Sequence, residues 1–135
     1  MKMFCAGQWQ DTTQTINVTN SFDQSIIDTV PKGSSADISN AVTVLEQGAR
    51  IMKAMTPYDR SLILQKASEL LLQHQDEFAR TISLEVGKIL AESQVETARS
   101  AEVIRLSGEE ARRMTGEMIP LEGNAGGKNK LGFNA

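Results

Sequence analysis

"EVGKILAESQVETARSAEVIRLSGEEARRMTGEMIP", running from Glu85 to Pro120, is the stretch whose reading decides the fold. Gly87 stands where a helix would end in a left-handed cap. From about Ala91 to Met114 the sequence predicts one long helix. Val95, Ala98, Ala101, Ile104, Gly108 and Ala111 form its stripe, at steps of three and four. Small residues dominate that stripe, which implies close approach of a neighbouring element. Glu102 with Arg105, and Glu109 with Arg112 and Arg113, lie three or four residues apart. Each such pair contributes roughly 0.2–0.5 kcal/mol in an isolated helix. They could mark a docking surface, but a solvated charged face explains them without a partner. Past Gly116, Met118, Ile119 and Leu121 begin a strand that Pro120 confines to a sheet edge.

Working upstream, three more helices are predicted. Ser34-Ser35 ahead of Asp37 is a capping signal, and Ile38, Val42, Leu45, Ala49 and Met52 then share one face. Thr56-Pro57 opens the second helix, whose face is Ile63, Ala67, Leu70 and Leu71. Phe78, Ile82 and Val86 mark a shorter third. The predicted helices run over about 36–54, 57–75, 76–87 and 90–115. Strands fall within 3–30: "KMFCAGQW" reads as one strand, and "TINVT" and "SIIDTVP" as a hairpin around the turn formers of "NSFDQ". At the other end Leu131 and Phe133 suggest a second tail strand, so 116–135 reads as a β-arm. The fold class is α+β and mostly helical.

Composition narrows the function classes. The 135 residues fit one domain, with 40% apolar and 23% charged side chains and a net charge of −3. No basic stripe points to nucleic acid, and aromatics are scarce at 4%. No apolar run is long enough to span a bilayer, and "MKMFCAGQW" lacks the apolar core of a signal peptide. A lone cysteine fits a reducing cytoplasm.

Individual candidates for chemistry are few. "GNAGGKNKLGFNA", from Gly123 to Ala135, looks like a phosphate loop, but Glu122 stands where the first glycine is required and Asn129 where a hydroxyl is required. No helix pattern follows, so a solvated connection between strands is expected. Cys5 lies between Phe4 and Ala6 with no base in reach of sequence, and reads as structural. His74 falls at a helix end, where an imidazole suits the dipole. Glu85 precedes Val86-Gly87-Lys88. A surface glutamate is the simpler reading, but a carboxylate beside free helix-end carbonyls could hold a cation. Nucleophile, base and oxyanion donor are absent as a set.

Taken in order, the segments resemble the N-terminal part of an aldehyde dehydrogenase. "GQW" resembles that family's opening Gly-x-Trp, and "VTNSFDQSIIDTVPKGSSADISNAV" its hairpin and first helix. "RSLILQKASELL" resembles its second helix, and the stretch from Glu85 to Pro120 its Glu-x-Gly-Lys-Pro segment, long helix and Gly-Glu-x-Ile/Leu-Pro end. The chain departs from the pattern at Ser21 (usually proline), Gln24 (usually glycine) and Ile89 (usually proline).

The resemblance implies a parent enzyme of Rossmann-like α/β fold that oxidises an aldehyde to an acid with NAD or NADP. It makes residues 1–115 the N-terminal part of a dinucleotide-binding domain and 116–135 the start of an oligomerisation arm. The family's nucleophilic cysteine, water-activating glutamate and oxyanion asparagine all follow the region matched here. Cys5 and Asn134 do not take those roles. No catalytic or cofactor-binding residue, and no bound cofactor, is therefore expected in this segment, which alone would be inactive. A monovalent cation near Glu85 is the one transferable site. Partners implied are further copies of the chain, joined through helix faces and the tail arm. The competing reading is a stand-alone helical interaction module. Either way, four amphipathic helices must cover their apolar faces, and a domain of this size buries roughly two thirds of its unfolded surface.

Overall fold

The computed structural model describes residues 1–123 and 125–134. The chain begins with two β-hairpins. Strands β1 (Met3–Cys5) and β2 (Gln8–Gln10) pair antiparallel, with Phe4 opposite Trp9. This corrects the single strand expected over "KMFCAGQW". Ala6 and Gly7 both take positive φ, 51° and 79°, the mirror-image turn that matches strand twist. Alanine is not a turn former, so only Gly7 was visible as punctuation. Strands β3 (Thr15–Thr19) and β4 (Ile26–Pro31) form the expected hairpin. Its turn is held by Asn20 Oδ1 accepting from the Phe22 amide and by Asp23 Oδ1 accepting from Ser25.

Four helices follow: α1 (Ser35–Ala54), α2 (Pro57–Gln73), α3 (Gln75–Val86) and α4 (Leu90–Ala111). Three ends are written in the sequence, whereas α4 starts without a side-chain cap and stops at Ala111, short of the expected 115. Ser34 and Asp37 exchange the two hydrogen bonds of a capping box at the start of α1. Thr56 accepts from the Asp59 amide ahead of Pro57. Gly87 closes α3 with φ 73°. His74 ends α2 and begins α3. After α4, β5 (Glu117–Pro120) and β6 (Leu131–Asn134) pair antiparallel, joined by a connection containing a short 3-10 turn at Ala125–Gly127. A Cβ on Gly127 would lie 1.6 Å from the Leu121 carbonyl oxygen, so only glycine fits there.

α1, α2 and α3 leave much of their apolar faces outside, whereas α4 packs on most of the expected stripe of small residues. α2 and α3 both lie along α4, and α3 touches β3. On α4 the buried positions are Ser93, Thr97, Ala101 and Gly108; Ala101 and Gly108 belong to the expected stripe, and Val95, at its start, is 67% exposed. On α2 the buried positions are Ser61 and Ser68, while Ile63 and Leu70 are 48% and 44% exposed. On α3 Ala79 is buried, and Phe78 and Val86 face outward. The reason is distance. Helices that share a seam of Ser, Thr, Ala and Gly come close enough for backbone contact, and a Cβ on Gly108 would already sit 3.3 Å from Leu64 Cβ and the Ser61 carbonyl oxygen. The hydroxyls cost little there, because each is hydrogen-bonded: Thr97 to the Ser93 carbonyl, Ser61 to the Tyr58 carbonyl.

The large side chains are thus left outside. Among the described residues the fully buried apolar side chains, Ala79 and Ala101, are both alanines, and α1 has no buried residue. The chain exposes 10463 Å². A compact monomer of this mass exposes about 6,900 Å². Instead of burying two thirds of its extended-chain surface it buries about half.

Candidate functional site

Cys5 is half-buried, its thiol 3.7 Å from the Asp37 carbonyl oxygen on the first turn of α1. The Asp37 carboxylate is engaged by the Ser34 amide and hydroxyl, and the thiol's hydrogen-bond partner is a backbone carbonyl, not a base. His74 Nδ1 meets Glu77 Oε2 at 3.1 Å, both exposed at the junction of α2 and α3. Neither arrangement is that of a nucleophile with its base. The tail loop, residues 121–130, turns back from β5 into β6 and leads into no helix among the described residues, so it offers phosphate no helix N-terminus. Asn124 and Ala135 lie outside the described residues.

Around Glu85 the structure brings three segments together. Ser21, at the tip of the β3–β4 hairpin, donates its amide to the Leu84 carbonyl at 3.2 Å and its hydroxyl to the Glu85 carbonyl at 2.5 Å. The Gly87 amide donates to the Ser83 carbonyl at 3.0 Å. Three of the helix-end carbonyls that the sequence leaves free for a cation, those of Ser83, Leu84 and Glu85, are therefore already engaged. Among the described residues no three acidic, histidine or cysteine side chains cluster to hold a metal ion. One residue on, Lys88 Nζ pairs with Glu96 Oε2 at 2.5 Å and ties the turn to α4. That hydrogen bond, reinforced by the lysine's charge, holds the Glu96 carboxyl below its usual range. Nothing in this corner presents a nucleophile or an oxyanion donor; its chemistry is that of a fastening.

Comparison with known proteins accounts for such a chain. The sequence model described as "Aldehyde dehydrogenase family" matches residues 9–132. The chain belongs to the aldehyde dehydrogenase family. It is similar to the 3-sulfolactaldehyde dehydrogenase of Priestia aryabhattai, 33% identical over 131 residues, which cover 97% of this chain and 27% of that enzyme. Its backbone follows aldehyde dehydrogenase 21 of Physcomitrella patens, solved with the reaction product succinate, with a TM-score of 0.93 and 29% identity over 98% of this chain and 28% of that one. It also follows a betaine aldehyde dehydrogenase of Staphylococcus aureus solved with NAD+ (TM-score 0.80, 24% identity, 85% of this chain and 24% of that one), a likeness of fold alone. The chain spans about a quarter of the length of the curated relatives it matches. The ordered motifs from "GQW" to Pro120 carried this family signal, and no single residue did.

Sequence reasoning missed the Ser21 bridge. The only signal was the departure from proline at that position, since proline has neither an amide hydrogen nor a hydroxyl to give.

Proposed function

We propose that this chain supplies the N-terminal part of an NAD(P)-dependent aldehyde dehydrogenase, with residues 1–115 in the dinucleotide-binding domain and residues 116–135 opening the oligomerisation arm. The parent enzyme oxidises an aldehyde to a carboxylic acid, passing hydride to the nicotinamide. The observation that carries this reading is the backbone likeness to a full-length aldehyde dehydrogenase over nearly the whole chain. The segment contributes scaffold and no reacting group, so alone it does not turn over. Its substrate class is a short aldehyde with an acidic group, in line with the sulfolactaldehyde and succinate named for its relatives. Copies of the parent associate through outward helix faces and the β5–β6 ribbon, whose Met118, Pro120, Leu131 and Phe133 share one face. A cytoplasmic location agrees with the lone unpaired thiol, and no helix among the described residues is long and apolar enough to cross a membrane.

The test is an exchange. The matched segment of the Priestia aryabhattai enzyme is replaced by this chain, and NAD(P)H formation from 3-sulfolactaldehyde is followed. A folded, active chimera beside an inactive isolated chain is expected. A folded chimera without turnover, or turnover by the chain alone, would overturn the reading.

A further inference from the structure

A monovalent cation at Glu85 does not fit the donor set, and the misfit has a cause. An α-helix ends with four carbonyls that lack helical partners and with a partial negative charge. In α3 these belong to Ser83, Leu84, Glu85 and Val86. Three are taken, by Gly87 and twice by Ser21. A hard cation needs several oxygens at once. Only the Glu85 carboxylate would remain as a charged donor, because Asp23 on the same hairpin is engaged by the amide and hydroxyl of Ser25.

We propose that Ser21 takes the place of a monovalent cation at the C-terminal end of α3, so that the β3–β4 hairpin is fastened to this helix directly and independently of K+ or Na+. A cation there would neutralise the partial negative charge of the helix end. Ser21 does the same work with two protons from one residue, on adjacent carbonyls. Gly87 completes the fit. Its φ of 73° turns the chain away at once, and a Cβ there would press to 3.2 Å from Ser21 Cβ. The fastening reaches across 64 positions of sequence, beside the place where β3 touches α3.

The experiment reads amide hydrogen exchange at Ser21 in the 135-residue chain, in KCl, NaCl and choline chloride at equal ionic strength. Protection is expected to be the same in the three salts. In Ser21→Ala it falls roughly three- to tenfold, the loss of one hydrogen bond, and in Ser21→Thr it returns. Higher protection in K+ or Na+ than in choline, in the unsubstituted chain, would overturn the proposal. So would an S21A chain as protected as the original. Should S21A fail to fold, the salt series on the unsubstituted chain decides alone. The readout is structural, so absence of dehydrogenase activity does not touch it.

Discussion

Ser68 on α2 donates its hydroxyl to the carbonyl oxygen of Ala101 on α4 at 2.8 Å, in a buried place where the two helices touch. That bond joins the helices where no large side chain fits. Ser68→Ala is expected to destabilise the chain by about 1 kcal/mol, the net worth of one buried hydrogen bond. Ser68→Leu costs more, about 1–3 kcal/mol by overpacking. Urea unfolding of both variants checks the order; a Leu variant as stable as the original would show that the seam is not close-packed.

Gly108 marks the other tight point. Alanine there gains about 1 kcal/mol of helix propensity. It also pushes a methyl against Leu64 and the Ser61 carbonyl at 3.3 Å. The two effects oppose each other, so Gly108→Ala is expected near neutral in thermal melts. Gly108→Leu has no such offset in space and lowers stability by about 1–3 kcal/mol.

Gln24 sits at φ 62°, in the left-handed region, at the hairpin turn where the family pattern carries glycine. Gln24→Gly removes a steric cost of about 1 kcal/mol. It gives up one long, exposed bond from Gln24 to the Ser21 carbonyl, at 3.4 Å. A net gain in melting temperature is expected, and a loss would mean that the long bond outweighs the strain.

These positions show what could be read in advance. Caps at Ser34, Thr56 and Gly87 are local chemistry, and they placed the helix ends correctly. Helix faces are not local. Periodicity ranks faces by hydrophobicity and chose Ile63, Leu70, Phe78 and Val95, which the fold turns outward, but on α4 it also chose Ala101 and Gly108, which are buried. The packed seam runs through Ser61, Ser68, Ser93 and Thr97, residues that read as polar until their hydroxyls are seen bonded to helix carbonyls. The first hairpin escaped notice because its turn uses Ala6 in a glycine-like conformation. Ser21 was visible only as a departure from proline, with no hint of the helix end it meets.

The pH response of α1 follows from its cap. The Ser34 amide, and after it the Ser34 hydroxyl, hold the Asp37 carboxyl below its ordinary value of 3.8. A carboxyl held lower in the folded chain adds stability that is complete above the unfolded value and fades as pH falls through the folded one. Because α1 buries no residue, its helicity depends on such local terms. Far-UV circular dichroism is expected to lose helix on acidification below about pH 4. Asp23, Asp28, Glu96 and Glu102 shift the same way, so the difference between the original and Asp37→Asn isolates this residue. Identical acid curves for the two would remove Asp37 from the account.

The outward faces give the sharpest distinction between a core and a contact surface. Ile63 and Leu70 lie on the same side of α2, about half exposed, while Ser61 and Ser68 face α4. If the apolar side belongs to an interface, charging it leaves the folded unit intact. Ile63→Glu with Leu70→Glu is expected to change unfolding free energy by no more than about 0.5 kcal/mol, as for other surface positions. The same pair of changes lowers the mass seen by light scattering, because the surplus of exposed area has lost its apolar character. That surplus, about 3,500 Å² on one chain over a compact monomer, exceeds the roughly 1,000–2,500 Å² per partner of most obligate interfaces. A loss of several kcal/mol on substitution would instead place both residues in the chain's own core. An unchanged mass would count against an interface on this face of α2.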